Sequence, residues 1–464
     1  MAGHLRQHSF TGSTDHDFTG LVAGELILFN GTNLVSTGST GGGTSGNLWS
    51  ASTGTSSIIA NNGGGNTVSD SLSAVLGGDQ NKITGGTGSN NTIINGRFNK
   101  MGTSTNYSLI GAGYSNELTN GNGSVILAGG YNIIQNQYSS ILGGSNNFIN
   151  SSTSFIGGGQ QNSATTSIRA TVVSGFQNSS SGADSFIGSG RQNVASNTYA
   201  TVAGGRQNNS TSPYTFIGGG GFNTASGFAA VVAGGISNVA SGQRSAVAGG
   251  QSNNASGNRS FVGGGISNSS TNIYATSVGG YYNTASGDYS FIGGGYGNTS
   301  SGSISVIVGG FKNISSGKQS FVGGGNSNSA TTVYASIVGG QANRASGQRS
   351  FVGGGKQNIA SSSYSVVGGG SGNTASNTAS FVGGGVSITA NGIVSAAVGG
   401  AYNVAKGLGS FVGAGKLNDA SGGYSSIAGG VSNIIGSNRS FIGAGTSNLI
   451  AVGSNYSSII GGSI

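Results

Sequence analysis

The chain has 464 residues, 96 of them glycine, with one proline (Pro213) and no cysteine. Only 6 % of its residues are charged, far fewer than in a compact globular domain. Collagen, which needs glycine at every third position and abundant proline, is excluded, and so are a disulfide scaffold and a thiolate metal site. Strictly periodic Val, Ile and Phe positions argue against disorder. The net charge is +8, and residues 1–55 hold one Arg against three acids, so the excess lies in the rest of the chain.

The N-terminus, Met1-Ala2-Gly3-His4-Leu5-Arg6, lacks the basic-then-apolar pattern of a secretory signal. The apolar run Leu26-Ile27-Leu28-Phe29 is too short to span a bilayer. The expectation is a protein assembled inside the producing cell or exported by a route the sequence does not display. His4, His8 and His16, the last flanked by Asp15 and Asp17, are the metal-ligating candidates, because three chains on a threefold axis would supply three imidazoles. Their spacing matches no firm motif, and polar attachment loops are the commoner explanation. Asn30-Gly31 between apolar runs predicts a β-hairpin. Residues 1–55 are therefore expected to form a small β head, with Trp49 packing near the junction.

Residues 56–464 repeat. Asn193, Asn208, Asn223, Asn238, Asn253, Asn268, Asn283, Asn298, Asn313, Asn328, Asn343, Asn358 and Asn373 recur every fifteen residues. After a lapse at Ile388 the series resumes at Asn403, Asn418, Asn433 and Asn448. Steps of fifteen to eighteen carry it back through Asn178, Asn162, Asn147, Asn132, Asn116, Asn99, Asn81 and Asn66. Such a register predicts a solenoid. Each unit reads as a short apolar strand, a Gly-Gly corner, a polar strand around the Asn and a Ser-Gly corner. Glycine suits corners that need positive φ or close backbone approach.

Phe261, Phe291, Phe321, Phe351, Phe381, Phe411 and Phe441 mark every second unit, which would suit a thirty-residue coil. Phe186 and Phe216 are out of phase with them, since Phe216 to Phe261 is forty-five, while the Asn series passes undisturbed. A one-unit slip is harmless only if one unit is one coil. The predicted fold is thus all-β, a parallel β-roll solenoid of about 26 fifteen-residue coils. At the strand spacing of about 4.8 Å, these should form a rod of roughly 120 Å, and electron microscopy finding half that length would favour thirty-residue coils.

Phe261 and Gly263 share one strand face, and Thr276 and Val278 occupy the same places one coil on, so large and small can interlock. Val262 points to the opposite face. One apolar face is covered by the chain's own second strand and the other needs a neighbour, which predicts an oligomer about the fibre axis. The asparagines are expected to form a structural ladder of side-chain amides rather than a ligand row. Single basic residues at the corners (Arg244, Arg259, Lys318, Arg349 and Arg439 at one, Arg191, Arg206, Lys356 and Lys416 at the other) keep a fibre soluble. The alternative is a basic stripe that meets an anionic surface.

Catalysis finds little to build on. The acids Asp70, Asp79, Glu117, Asp184, Asp288 and Asp419 are widely separated, which disfavours a glycosidase pair. Beyond residue 17 there is no histidine to activate a serine. Glycine runs such as 218–221 recur as corners rather than as phosphate loops. No catalytic residue, cofactor or nucleic-acid partner is expected. Tyr281, Tyr282, Tyr289 and Tyr296 either fill outer corners or stack on sugars.

The segment Ala345-Ser346-Gly347-Gln348-Arg349-Ser350-Phe351-Val352-Gly353 resembles the head repeats of trimeric autotransporter adhesins. That resemblance, over roughly residues 56–464, implies a trimeric parallel β-roll. It does not carry over that family's export or anchoring, because signal peptide, heptad stalk and membrane barrel have no counterpart in the sequence. Residues 14–35 resemble the N-terminal attachment regions of bacteriophage tail fibres and related virion appendages. The implied protein is a homotrimeric virion fibre, its head bound to a virion structural protein and its far end meeting a host-surface glycan or protein. The alternative is an extracellular adhesin or matrix filament of a bacterial cell. Residues 457–464 open a further unit without a cap, so a second protein is expected to dock there or a C-terminal segment to be removed. Mass spectrometry of the native chain beside its reading frame distinguishes the two.

Overall fold

The computed structural model describes residues 26–29, 34–37, 49–51, 57–60, 65–84 and 90–463. The chain divides into two compact units, Met1–Ser210 and Thr211–Ile464. Both are all-β, with no helix among the described residues, and together they carry a parallel β-solenoid of about 26 coils.

In the second unit each strand pairs in parallel with its equivalent one coil on. Phe261–Val262 is in register with Thr276–Ser277, which is in register with Phe291–Ile292. Asn254–Ala255 likewise pairs with Ser269–Ser270. The coil is therefore fifteen residues long and a thirty-residue coil is excluded. In the first unit Val125–Ile126 pairs with Ser140–Ile141 and Ile133–Ile134 with Phe148–Ile149 by the same rule. At its start Leu26–Phe29 pairs antiparallel with Leu34–Thr37, as a hairpin requires. The turn residues Asn30 and Gly31 lie outside the described residues. Trp49–Ala51 pairs antiparallel with Ile58–Ala60, which in turn pairs in parallel with Ala74–Val75, so backbone pairing extends the solenoid sheet to Trp49.

The strands are two residues long because the coil is narrow, and their alternation sorts side chains at once. Val262, Ile292, Val322 and Val352 point inward and are fully buried. Ala255, Ala285 and Ala345 face them from the second strand, so a β-branched residue meets a small one across the coil. In the first unit Ile110, Ile126 and Ile141 meet the larger Leu118, Ile134 and Ile149. A third inner slot accepts only small residues: Ser260, Ala275, Ser290, Ser305, Ser320 and Ala335 in succession. The Ser260 and Ser290 hydroxyls have no hydrogen-bond partner, whereas Ser320 Oγ donates to Gly317 O at 2.6 Å, so small volume is what the residues of this slot share.

Most regular coils make two left-handed corners at residues other than glycine, for example Arg259 (φ 55°) and Ser267 (φ 55°). The cause is visible in the hydrogen bonds. Strand N–H groups donate forward, as Phe261 N–H does to Ala275 O at 2.9 Å, whereas Arg259 N–H donates back to Gln243 O at 2.8 Å and Ser267 N–H back to Gln251 O at 2.9 Å. Positive φ turns those two N–H groups toward the preceding coil, and the bond offsets the local strain. Glycine is obligatory elsewhere. A Cβ on Gly265 (φ 83°) would stand 2.1 Å from Gly280 O and 2.6 Å from Asn268 Nδ2, so no other residue fits that corner.

Ile304, half-exposed, holds a β-branched side chain at φ 58°. Left-handed backbone is least tolerable for such residues and mildest for Asn. Ile304→Asn should stabilise its coil by about 1 kcal/mol. Slower hydrogen exchange of the residue 304 N–H, by roughly 5-fold, is the expected readout.

Candidate functional site

The periodic Asn is buried and makes a three-point clamp. Its backbone N–H donates to the Oδ1 of the preceding Asn: Asn268 to Asn253 at 2.9 Å, Asn283 to Asn268 at 3.0 Å. Its Nδ2 donates to two carbonyls, as Asn268 does to Gly264 O in its own coil and Gly280 O in the next, both at 2.8 Å. The same triad recurs at Asn298, Asn313, Asn328, Asn343, Asn358 and Asn373. Amide-to-amide bonds, the form expected from the sequence, appear only in part, as from Asn99 to Asn81 at 3.1 Å or Asn418 to Asn403 at 3.1 Å. The principal partner is the backbone, because the glycine corner brings two carbonyls within reach of one NH2 group. At Ile388 the backbone N–H still donates to Asn373 Oδ1, at 2.8 Å. Ile388 offers Asn403 no acceptor in return.

The Phe face points outward. Phe261 and Phe351 are each 37 % exposed, and Val278, in the coil after Phe261, and Val338, in the coil before Phe351, are 45 % and 53 % exposed. The Phe ring lies back over its own strand: a Cβ on Gly263 would stand 3.4 Å from Phe261 Cε1. In the first unit the corresponding face adds aliphatic residues to Phe155 and Phe186, with Leu76, Ile94, Leu127, Leu142 and Val173 exposed. Sequence reading missed these, since Phe was the marker it followed; the residue after each inward Ile or Val would have found them.

Charged groups pair across neighbouring coils. Arg97 meets Asp79 at 3.0 Å, Lys100 meets Glu117 at 2.7 Å and Arg169 meets Asp184 at 2.5 Å in the first unit. Lys406 meets Asp419 at 2.6 Å in the second. The Arg169 hydrogen bond holds the Asp184 carboxyl below the usual carboxylate range. Asp70 is buried, its carboxylate taken up by Ser73 Oγ at 3.0 Å, Asn91 Nδ2 at 2.7 Å and Ser71 N–H at 2.8 Å. Asp70, Asp79, Glu117, Asp184 and Asp419 thus serve the coil stack. His4, His8 and His16 lie outside those residues, and among the described residues no cluster could hold a metal ion.

Tyr and Arg side chains line the left-handed corners. Tyr289 stacks on Tyr274 with centroids 4.9 Å apart, and Tyr296 stacks on Phe311 at 5.2 Å. Tyr282 meets Tyr296 edge-on at 5.7 Å. One face of Tyr289 and one of Tyr296 are thus taken by a neighbouring ring, while Tyr281, Tyr282, Tyr289 and Tyr296 all remain exposed. The chain matches no protein-family model, and comparison with curated proteins finds no significant match. Among the described residues no helix is long and apolar enough to cross a membrane.

Asn313→Ala removes the acceptor of the Asn328 N–H and the amide donor to the Gly309 carbonyl, while the Gly325 carbonyl keeps the Phe311 N–H. At about 1–3 kcal/mol for each group left unpaired, the local cost should be about 3–5 kcal/mol, with Asn328 N–H exchange at least ~100-fold faster. Ile388→Asn is expected to act oppositely, slowing exchange of the Asn403 N–H. Unchanged exchange at both sites would remove the clamp from the account of stability.

Proposed function

We propose that this chain is the structural shaft of a homotrimeric virion fibre that projects from the particle and mediates attachment to a host surface. The observation that carries the reading is the outer Phe and Val face. Its inner counterpart is fully buried, whereas this face repeats half-exposed apolar side chains at coil after coil of the second unit. An isolated column leaves that face in water, and association with copies of itself removes it. A coil lengthened by repetition suits a spacer better than a catalyst. The resemblance of residues 345–353 to trimeric adhesin head repeats points to the same arrangement, and that of residues 14–35 to attachment through a virion structural protein. The ends then contact a particle protein, a host glycan or a host protein.

Phe321→Asp together with Phe351→Asp puts two carboxylates into the proposed contact. Burying each unpaired charge costs several kcal/mol, so the double variant should sediment as a monomer where the native chain is a trimer. A trimeric double variant overturns the packing assignment. Detection of the chain in purified virions supports the particle assignment, and its detection on a cell surface instead supports a cellular adhesin.

A further inference from the structure

The charge of the molecule is not shared between its units. Residues 1–210 carry seven basic and seven acidic residues, whereas residues 211–464 carry ten basic and two acidic, so the second unit holds all of the +8. Within it the corner ladder twice reads Tyr-Arg-Tyr on successive coils: Tyr334, Arg349, Tyr364 and then Tyr424, Arg439, Tyr456. The first triplet is closed, with the Arg349 guanidinium 5.4 Å from the centroid of each flanking ring and Arg349 Nη1 donating to Tyr364 Oη at 2.5 Å.

The second triplet is open. Arg439 lies 5.5 Å from the Tyr456 centroid and donates to its hydroxyl, but no ring contact joins Arg439 to Tyr424. The coil between them and Tyr456 is two residues longer than the other coils of the second unit, since Ser440 to Ser457 is a step of seventeen. Asn455, within that longer coil, accepts the Asn438 N–H through Oδ1 at 3.0 Å, and Asn438 Oδ1 accepts the Gly423 N–H at 2.7 Å. The result is a cleft of about 460 Å³ whose lining includes Gly423, Tyr424, Asn438, Arg439, Asn455 and Tyr456. Gly409, one coil before Tyr424, lets that ring seat close against the backbone, where a Cβ would approach it to 2.9 Å. Arg439 has no carboxylate partner, and the nearby Asp419 is already neutralised by Lys406.

We propose that this cleft binds an acidic sugar residue of a surface glycan, its carboxylate against Arg439 and its ring against Tyr424. The guanidinium fork matches a carboxylate in two-point geometry, a phenol ring offers an apolar platform with a polar tip, and the Asn438 and Asn455 amides supply hydroxyl partners. The volume falls in the range of small-ligand sites. This deepens the attachment reading above by naming the ligand class. It needs residues of one chain only, so a failed trimer test leaves it standing and its own failure leaves the fibre standing.

The test is titration of the full chain with D-glucuronate, N-acetylneuraminate, D-glucose and acetate, followed by NMR. The acidic sugars should bind at least ~10-fold more tightly than glucose or acetate, because only they satisfy both the charge and the ring contact. Arg439→Gln and Tyr424→Ala should each weaken them ~10-fold at unchanged melting temperature, while Arg349→Gln, in the closed triplet, should not. Equal binding of acetate reduces the cleft to a plain anion site and overturns the proposal. So do equal binding of glucose, retention of affinity in Arg439→Gln, or no binding of either acidic sugar at ~50 mM, well above the millimolar range of weak ligands.

Discussion

The clamp of the buried Asn on the glycine corner is what the rest of the coil stack depends on. Two-residue strands give each coil few ladder bonds, and the second-unit core opposes Val or Ile to Ala, which is modest apolar burial per coil. The Asn supplies one acceptor and two donors at the glycine corner, where it pairs the carbonyl of its own coil and adds a second bond to that of the next coil, which a backbone N–H such as that of Ile266 already reaches at 2.9 Å. It also demands its neighbours: the glycine beside it cannot carry a Cβ without striking the next coil and the amide itself. One side chain thus fixes two sequence positions and the spacing between them.

That dependence is written in the spacing. From Ser73 onward the step from the inner slot to the following Asn is eight: Ser108 to Asn116, Ser124 to Asn132, Ala170 to Asn178, Ser260 to Asn268. The return step from Asn to the next small slot varies instead, seven at Asn253 to Ser260, eight at Asn116 to Ser124, nine at Asn99 to Ser108 and Asn448 to Ser457. Length variation is confined to the corner the Asn does not hold, and the Arg439 cleft lies at that corner. The rigid side of the coil keeps register while the loose side is open to change of shape.

Much of this was legible beforehand because a period is a geometric statement. The fifteen-residue coil, the inward Val262 and Ile292 and the Phe alternation followed from spacing and strand alternation. The partner of each Asn amide did not, because residue identity marks a hydrogen-bonding group without saying which backbone carbonyl will come within 3 Å. Left-handed corners at Arg259, Tyr274 and Ile304 were hidden for a related reason: glycine advertises positive φ, but backward N–H bonds impose it on any side chain. The pairing of Asp79 with Arg97 became visible only once coil register was known, since eighteen residues separate them in sequence. The candidate cleft depends on a two-residue insertion whose effect on side-chain spacing no pattern rule conveys.

The clamps all face one way. Each Asn reaches toward the coil that follows it, offering Oδ1 to the next Asn N–H and Nδ2 to the next glycine carbonyl. A finished coil therefore presents a ready-made seat for its successor, while the successor's own amide reaches back only at some coils, as from Asn99 to Asn81 or Asn418 to Asn403. Growth of the stack is templated in the direction of synthesis, so a chain emerging from the ribosome can add coils one at a time on an existing end. Starting from the opposite end, each coil would have to form before its seat exists.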